Sequence, residues 1–126
     1  MIAYLDTNVA LFLAHGDLKR LTRRAAQAIE RYELLISPMV LLELNYLYET
    51  TKVVVRGDAI FEELYNSIDL RLCSLPFDKI VKTAVKESWT RDVFDRLIVS
   101  NAKANDEAPL ISSDSVIGSH YSNVVW

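Results

Sequence analysis

Four acidic positions in this chain are placed where chemistry is a better explanation than solvation. Asp6 closes the apolar run Met1-Ile2-Ala3-Tyr4-Leu5, and Asp114 follows Leu110-Ile111 through Ser112-Ser113. Glu43 has Met39, Val40, Tyr46 and Leu47 as its neighbours one helical turn away, so its carboxylate borders a core and is partly dehydrated. The fourth position is Asp92 or Asp95, both on the early turns of a helix that continues into Ile98 and Val99. Each acid has an ordinary explanation when taken alone: capping for Asp6, Asp92 and Asp95, a turn for Asp114, and snorkelling to water for Glu43. Brought together without a cation they would repel and raise one another's pKa. Oxygen-only ligands select a hard ion, Mg2+ or Mn2+, rather than zinc. Such an ion polarises a phosphoryl oxygen and yields a nucleophilic water at neutral pH, which suits phosphodiester hydrolysis.

No other constellation competes. His15, His120 and Cys73 are too few and too scattered for a zinc site. The three glycines are isolated, so neither a P-loop nor a dinucleotide-binding turn is present. A Gly-x-Ser-x-Gly nucleophile elbow is also missing.

The elements that must position these acids alternate between strand and helix. Ile2–Leu5 reads as a first strand, followed by a helix from Asn8 to about His15 that Gly16 stops. A second, amphipathic helix is expected over Leu18–Tyr32, from the spacing of Leu18, Leu21, Ala25, Ile29 and Tyr32. After a short strand, Leu34–Ile36, Ser37-Pro38 supplies an N-cap and a first-turn proline for a helix to about Thr51. Beyond Gly57, the pattern predicts a helix around Ile60–Ile68, a strand over Arg71–Leu75, and a helix over Asp78–Trp89. The remaining elements are a helix from Asp92 to about Asn105, a strand over Leu110–Ser112, and an edge strand within Asn123–Trp126. The alternation implies one α/β domain over residues 1–126, a three-layer arrangement with a mainly parallel central sheet and helices on both faces. In such sheets ligands sit at the carboxyl ends of strands, where Asp6 and Asp114 fall.

Composition agrees with a globular domain, since 51% apolar and 25% charged residues are ordinary values. The lone Cys73 cannot form an internal disulfide and is read as core in a reducing compartment. With no basic-plus-apolar leader and no apolar stretch of roughly 20 residues, a cytoplasmic protein with no membrane association is expected. The formal charge of −3 argues only weakly against nucleic acid, because acids committed to a cation leave a slightly positive remainder.

At this point the ordered motifs resemble the PIN-domain ribonucleases, most closely the VapC toxins of type II toxin–antitoxin modules. The residues that carry the resemblance are Asp6-Thr7-Asn8, Glu43, Arg91-Asp92-Val93-Phe94-Asp95-Arg96-Leu97-Ile98, Ser112-Ser113-Asp114, and the terminal Ile117, Tyr121, Val125 and Trp126. They span essentially the whole chain, and one departure is Val93 where the family commonly has proline. The resemblance implies an acidic quartet of Asp6, Glu43, Asp95 and Asp114, with Asp92 as the alternative to Asp95. It places Asn8 and Ser112 as supporting polar groups. It also implies a Mg2+- or Mn2+-dependent endoribonuclease, a homodimer, and neutralisation by a cognate VapB-type antitoxin.

Arg91 and Arg96, beside the acids, are candidates for substrate phosphate or for steadying the carboxylates. Arg20, Arg23 and Arg24 share a face of the expected second helix with Arg31, where they either track an RNA backbone or form a solvated face. Tyr46, Tyr48 and Trp89 are expected in the core or at a dimer contact, with base stacking as the alternative. Two other functions fit an α/β sheet. An aspartyl-phosphate enzyme needs a second acid two residues after the first, where this chain has Asn8. A non-catalytic PIN-like module that binds RNA or protein is the main alternative to the nuclease.

Overall fold

In the computed structural model, which describes residues 1–126, the first apolar run is strand β1 (Ile2–Leu5). It is followed by α1 (Thr7–Ala14), a 3-10 turn at Leu18–Arg20, α2 (Arg23–Arg31) and β2 (Glu33–Ile36). Then come α3 (Pro38–Glu49), α4 (Gly57–Ile68), β3 (Arg71–Leu72) and α5 (Phe77–Ala84). The chain ends with α6 (Val93–Ala104), β4 (Leu110–Ile111), α7 (Ser115–His120) and β5 (Val124–Val125).

All five strands are parallel, in the order β3-β2-β1-β4-β5. Strands progress outward from β1 through β2 to β3, and the chain then returns to place β4 on the other side of β1. The gap between β1 and β4 is therefore the topological switch point, where a crevice opens at the carboxyl ends of an α/β sheet. Helices cover both faces, which is why β1 and β4 read as continuous apolar runs: Ala3, Tyr4, Leu5, Leu110 and Ile111 are all buried. Ile36, Leu44, Ile60, Leu64, Ile98 and Ile117 complete the core. Helices α1, α3 and α4 pack on one another, α5 packs on α6, α2 lies against β5, and α6 also meets α3.

Local chemistry sets the helix boundaries. Ser37 caps α3 by accepting from Met39 N at 3.1 Å, with Pro38 in the first turn as expected. Gly16 ends the region after α1 with φ +68°, a conformation open to glycine. Gly57 permits the close approach of α4 to α3, since a Cβ there would lie 2.5 Å from the backbone nitrogen of Asn45.

Four expectations need correction. The single helix over Leu18–Tyr32 is broken, because the Thr22 hydroxyl accepts from Ala25 N at 3.1 Å and starts α2 afresh. Arg20 therefore does not share a helix face with Arg23 and Arg24. Strand β3 stops at Leu72, although Cys73 N still bonds Ile36 O at 2.9 Å. The Cys73 sulfur then accepts from Leu75 N at 3.4 Å and turns the chain. Helix α5 ends at Ala84 rather than Trp89, since the Arg96 side chain takes the carbonyls of Ala84 and Val85. Finally, α7 was not expected. It is six residues long, contains Gly118 and buries only Ile117, too little for a helical period to stand out.

Candidate active site

The pairing of β1 with β4 builds the first half of the site. Leu5 is in register with Ile111, so the next residues, Asp6 and Ser112, leave the sheet side by side. Asp6 is buried and caps α1, with Oδ1 accepting from Thr7 N at 2.8 Å and Oδ2 accepting from the Ser112 hydroxyl at 2.6 Å. The Ser112 oxygen also accepts from Asp114 N at 3.1 Å, which fixes the turn after β4. Asp114 caps α7 through Oδ1, at 2.8 Å from Val116 N and 3.1 Å from Ile117 N.

The second half comes from α3 and α6. The Thr7 hydroxyl, buried at the start of α1, donates to Oε1 of Glu43. A hydrogen-bonded chain thus runs from Glu43 through Thr7 and Asp6 to Ser112 and the backbone of Asp114. Asp92 caps α6, its Oδ1 accepting from Asp95 N at 3.1 Å. The rings of Tyr46 and Phe94, 5.7 Å apart, pack α3 on α6 and so bring the Glu43 turn beside the Asp95 turn. Tyr46 and Tyr48 are otherwise exposed rather than core residues, at 50% and 37%.

Electrostatics shows that these acids form one group. The Asp95 carboxyl is pushed up to about 7, first by burial and then by Asp92, Asp6, Asp114 and Glu43. Burial also raises Asp6, against the bonds from Ser112 and Thr7 N, with Asp114 and Asp92 adding to the rise. Glu43 is raised by burial, opposed by its bond from Thr7, and further raised by Asp6 and Asp92. None of the five acids takes part in any of the chain's ion pairs. Negative charge is concentrated at the switch point without a positive partner.

That donor set fits a hard divalent cation, because every available ligand atom is an oxygen and the acids destabilise one another without one. As placed here, no three of the acids stand close enough together to hold an ion between them. Cys73 lies elsewhere, buried against the Tyr4 hydroxyl and the Asn101 amide at 3.0 and 3.1 Å.

The structure brings together Asp6, Glu43, Asp92, Asp95, Asp114 and Ser112, while Asn8 is exposed on the first turn of α1. Arg91 is exposed and donates to Ser88 O at 2.9 Å. Arg96 has a different place from the one expected: its guanidinium donates to Ala84 O, Val85 O and Thr90 O at 2.9, 3.3 and 3.4 Å. It pins the end of α5 to α6 and is spent on backbone rather than on phosphate. Arg20 is held by Asp17 at 3.5 Å and lies over the Phe12 ring at 5.2 Å. Arg23 and Arg24 are exposed on α2, the helix that packs against the β5 edge. Sequence reading missed Thr7. Its only local signal is a hydroxyl directly after the capping Asp6, and its partner lies 36 residues away.

The PIN domain family matches residues 3–120, and the chain belongs to that family. Among solved structures, VapBC2 from Rickettsia felis bound to a DNA fragment from their promoter is similar, with a TM-score of 0.64 and 18% identity. The match covers 99% of this chain and 96% of that chain, and the likeness is one of fold. No curated protein shows significant similarity to the sequence. No helix is long and apolar enough to cross a membrane.

Proposed function

We propose that this protein is a Mg2+- or Mn2+-dependent endoribonuclease, the toxin of a toxin–antitoxin pair. The observation that carries the reading is the convergence of Asp6, Glu43, Asp95 and Asp114 at the β1–β4 switch point, with no positive side chain among them. Asp6, Asp95 and Asp114 would hold the ion, and Glu43 would either join them or orient a water. Asp95 is favoured over Asp92 as the third ligand. Asp92 is exposed, whereas the half-buried Asp95 carboxyl feels Asp92, Asp6, Asp114 and Glu43 together. The bound ion supplies Lewis-acid activation of the phosphodiester and a lowered pKa for its water.

The protein's own groups do the rest. Ser112 and the Thr7 amide keep Asp6 oriented and favour its ionised form, and the Thr7 hydroxyl does the same for Glu43. Arg91, exposed beside Asp92, is the arginine of the two near the acids that remains free to meet a substrate phosphate. Family membership and the VapBC2 likeness support a VapB-type antitoxin as partner, and a homodimer is the working form proposed with it. The proposed place of action is the cytoplasm, with its supply of RNA.

Expression of the chain alone, with mapping of cleavage sites across total cellular RNA, tests this reading. Growth arrest with discrete new RNA ends is expected, with both lost on Glu43→Ala and arrest relieved by the product of a small adjacent gene. Arrest that persists in Glu43→Ala without new RNA ends would favour the non-catalytic binding module instead.

A further inference from the structure

Acids committed to a cation offer little further attraction to a polyanion, so affinity along the rest of an RNA strand has to come from positive charge elsewhere. The arginines are scattered: Arg96 is on carbonyls, Arg20, Arg56 and Arg71 are in exposed pairs with Asp17, Asp58 and Asp69, and Arg23, Arg24 and Arg31 lie on α2. The lysines are distributed differently: four of six, Lys79, Lys82, Lys86 and Lys103, line one hollow of about 420 Å3 between α5 and α6. No hydrophobic residue lines it. Glu87 and Glu107 also border the hollow. The buried Glu87 carboxylate, however, is taken up by Lys103 and by the Trp89 indole N–H at 2.7 Å. Lys82 has only a loose, exposed contact with Asp78 at 4.0 Å, a kind of pair that contributes little.

Glu87 also ties this hollow to an aromatic platform. The Trp89 ring is stacked on His120, with centroids 4.9 Å apart and planes 8° from parallel, and His120 is exposed. Lysines beside an exposed stacked ring are the two parts of a single-strand binding surface, cations for phosphates and a π-face for a base. The connection to the crevice is through the helices themselves. Helix α6 has Asp95 in its first turn and Lys103 in its last, separated by about 12 Å at 1.5 Å per residue. Helix α7 has Asp114 as its cap and His120 at its end.

We propose that the lysine-lined hollow and the Trp89–His120 stack form a track for single-stranded RNA, which holds the strand while the acidic crevice cuts it. The proposal rests on the nuclease reading and adds to it a binding surface outside the crevice, which engages a strand through its backbone and one stacked base. Duplex RNA, with its bases paired inside, has no face to offer His120.

The test separates binding from cutting. In a Glu43→Gln background, fluorescence anisotropy with a labelled, unstructured 12-nucleotide RNA is measured over a salt series. Lys79→Ala/Lys82→Ala/Lys86→Ala is expected to weaken binding on the order of tenfold or more and to reduce the log–log salt slope by about two. His120→Ala, at an exposed site that does not threaten folding, is expected to weaken it by about fivefold. Lys52→Ala, on the turn between α3 and α4, should bind as the parent does. Parent-like affinity and salt slope in the triple variant would overturn the track, as would equal binding of duplex and single strand. Cleavage of the same RNA by the protein with Glu43 intact is scored separately. A protein that binds through these lysines but never cuts contradicts the nuclease and leaves the track standing.

Discussion

The Ser112 hydroxyl donates to Oδ2 of Asp6 at 2.6 Å, joining the carboxyl ends of two adjacent strands through residues 106 positions apart. Both residues are buried, so the bond lies in a dry setting and is charge-assisted when Asp6 is ionised. Its loss in Ser112→Ala is expected to cost about 1.5–3 kcal/mol of stability, measurable by denaturant unfolding. The same bond favours the ionised form of Asp6, so its removal raises Asp6 further. The acidic limb of the pH–rate profile should therefore move to higher pH.

Thr7 acts on Glu43 as Ser112 acts on Asp6. Thr7→Val is nearly isosteric but removes the donor to Oε1, leaving Glu43 to burial and to its acidic neighbours. Steady-state kinetics should show activity lowered by about 10–100-fold, the usual effect of losing a partner of a metal-site carboxylate. Thr7→Ser restores the hydroxyl and should recover most of the rate. A parent-like rate in Thr7→Val with a lowered rate in Thr7→Ser would mean that the methyl group, not the hydroxyl, matters.

Asp95 gives the metal-free protein a distinctive pH dependence. Its folded-state pKa is raised from 3.8 to about 7, so between these values the folded state holds a proton that the unfolded chain has lost. Stability from this group is present at low pH and declines as pH rises through about 7. In chelator, thermal unfolding should show a higher Tm at pH 5.5 than at pH 8 from this contribution. Asp95→Asn should flatten that difference and raise the Tm at pH 8, while abolishing cleavage. Mg2+ or Mn2+ should stabilise the parent at pH 8 far more than the variant.

The contrast between the two arginines beside the acids is a matter of partners. Arg96→Ala frees three backbone carbonyls where α5 meets α6 and is expected to destabilise the fold by about 2 kcal/mol or more. Arg96→Lys should not rescue it, because an ammonium lacks the planar fork that reaches several carbonyls. Arg91→Ala should stay within about 0.5 kcal/mol of the parent in stability. Its effect should appear as a raised KM for RNA.

How far the sequence could be read follows from where each determinant lies. Asp6, Ser37-Pro38 and Asp92 mark helix starts by chemistry acting within three residues, so α1, α3 and α6 were legible, and so was the sheet they imply. Thr22 was not, because the apolar spacing of Leu18, Leu21 and Ala25 continues across it while its hydroxyl quietly restarts the helix. The acids could be singled out because carboxylates are costly at the edge of a core. Thr7 and Arg96 could not be assigned their partners, since those depend on how closely α3 approaches α1 and on where α5 happens to end. The Trp89–His120 stack depends likewise on α7, the one helix whose period was too short to see.

The most direct test of the account is cleavage of single-stranded RNA by the purified protein with Mg2+ or Mn2+, with chelator, and with Asp6→Ala in parallel. Cleavage that requires the ion and falls by at least about two orders of magnitude in Asp6→Ala is the predicted result. Cleavage that persists in chelator, or an Asp6→Ala protein that folds and cuts like the parent, would contradict it.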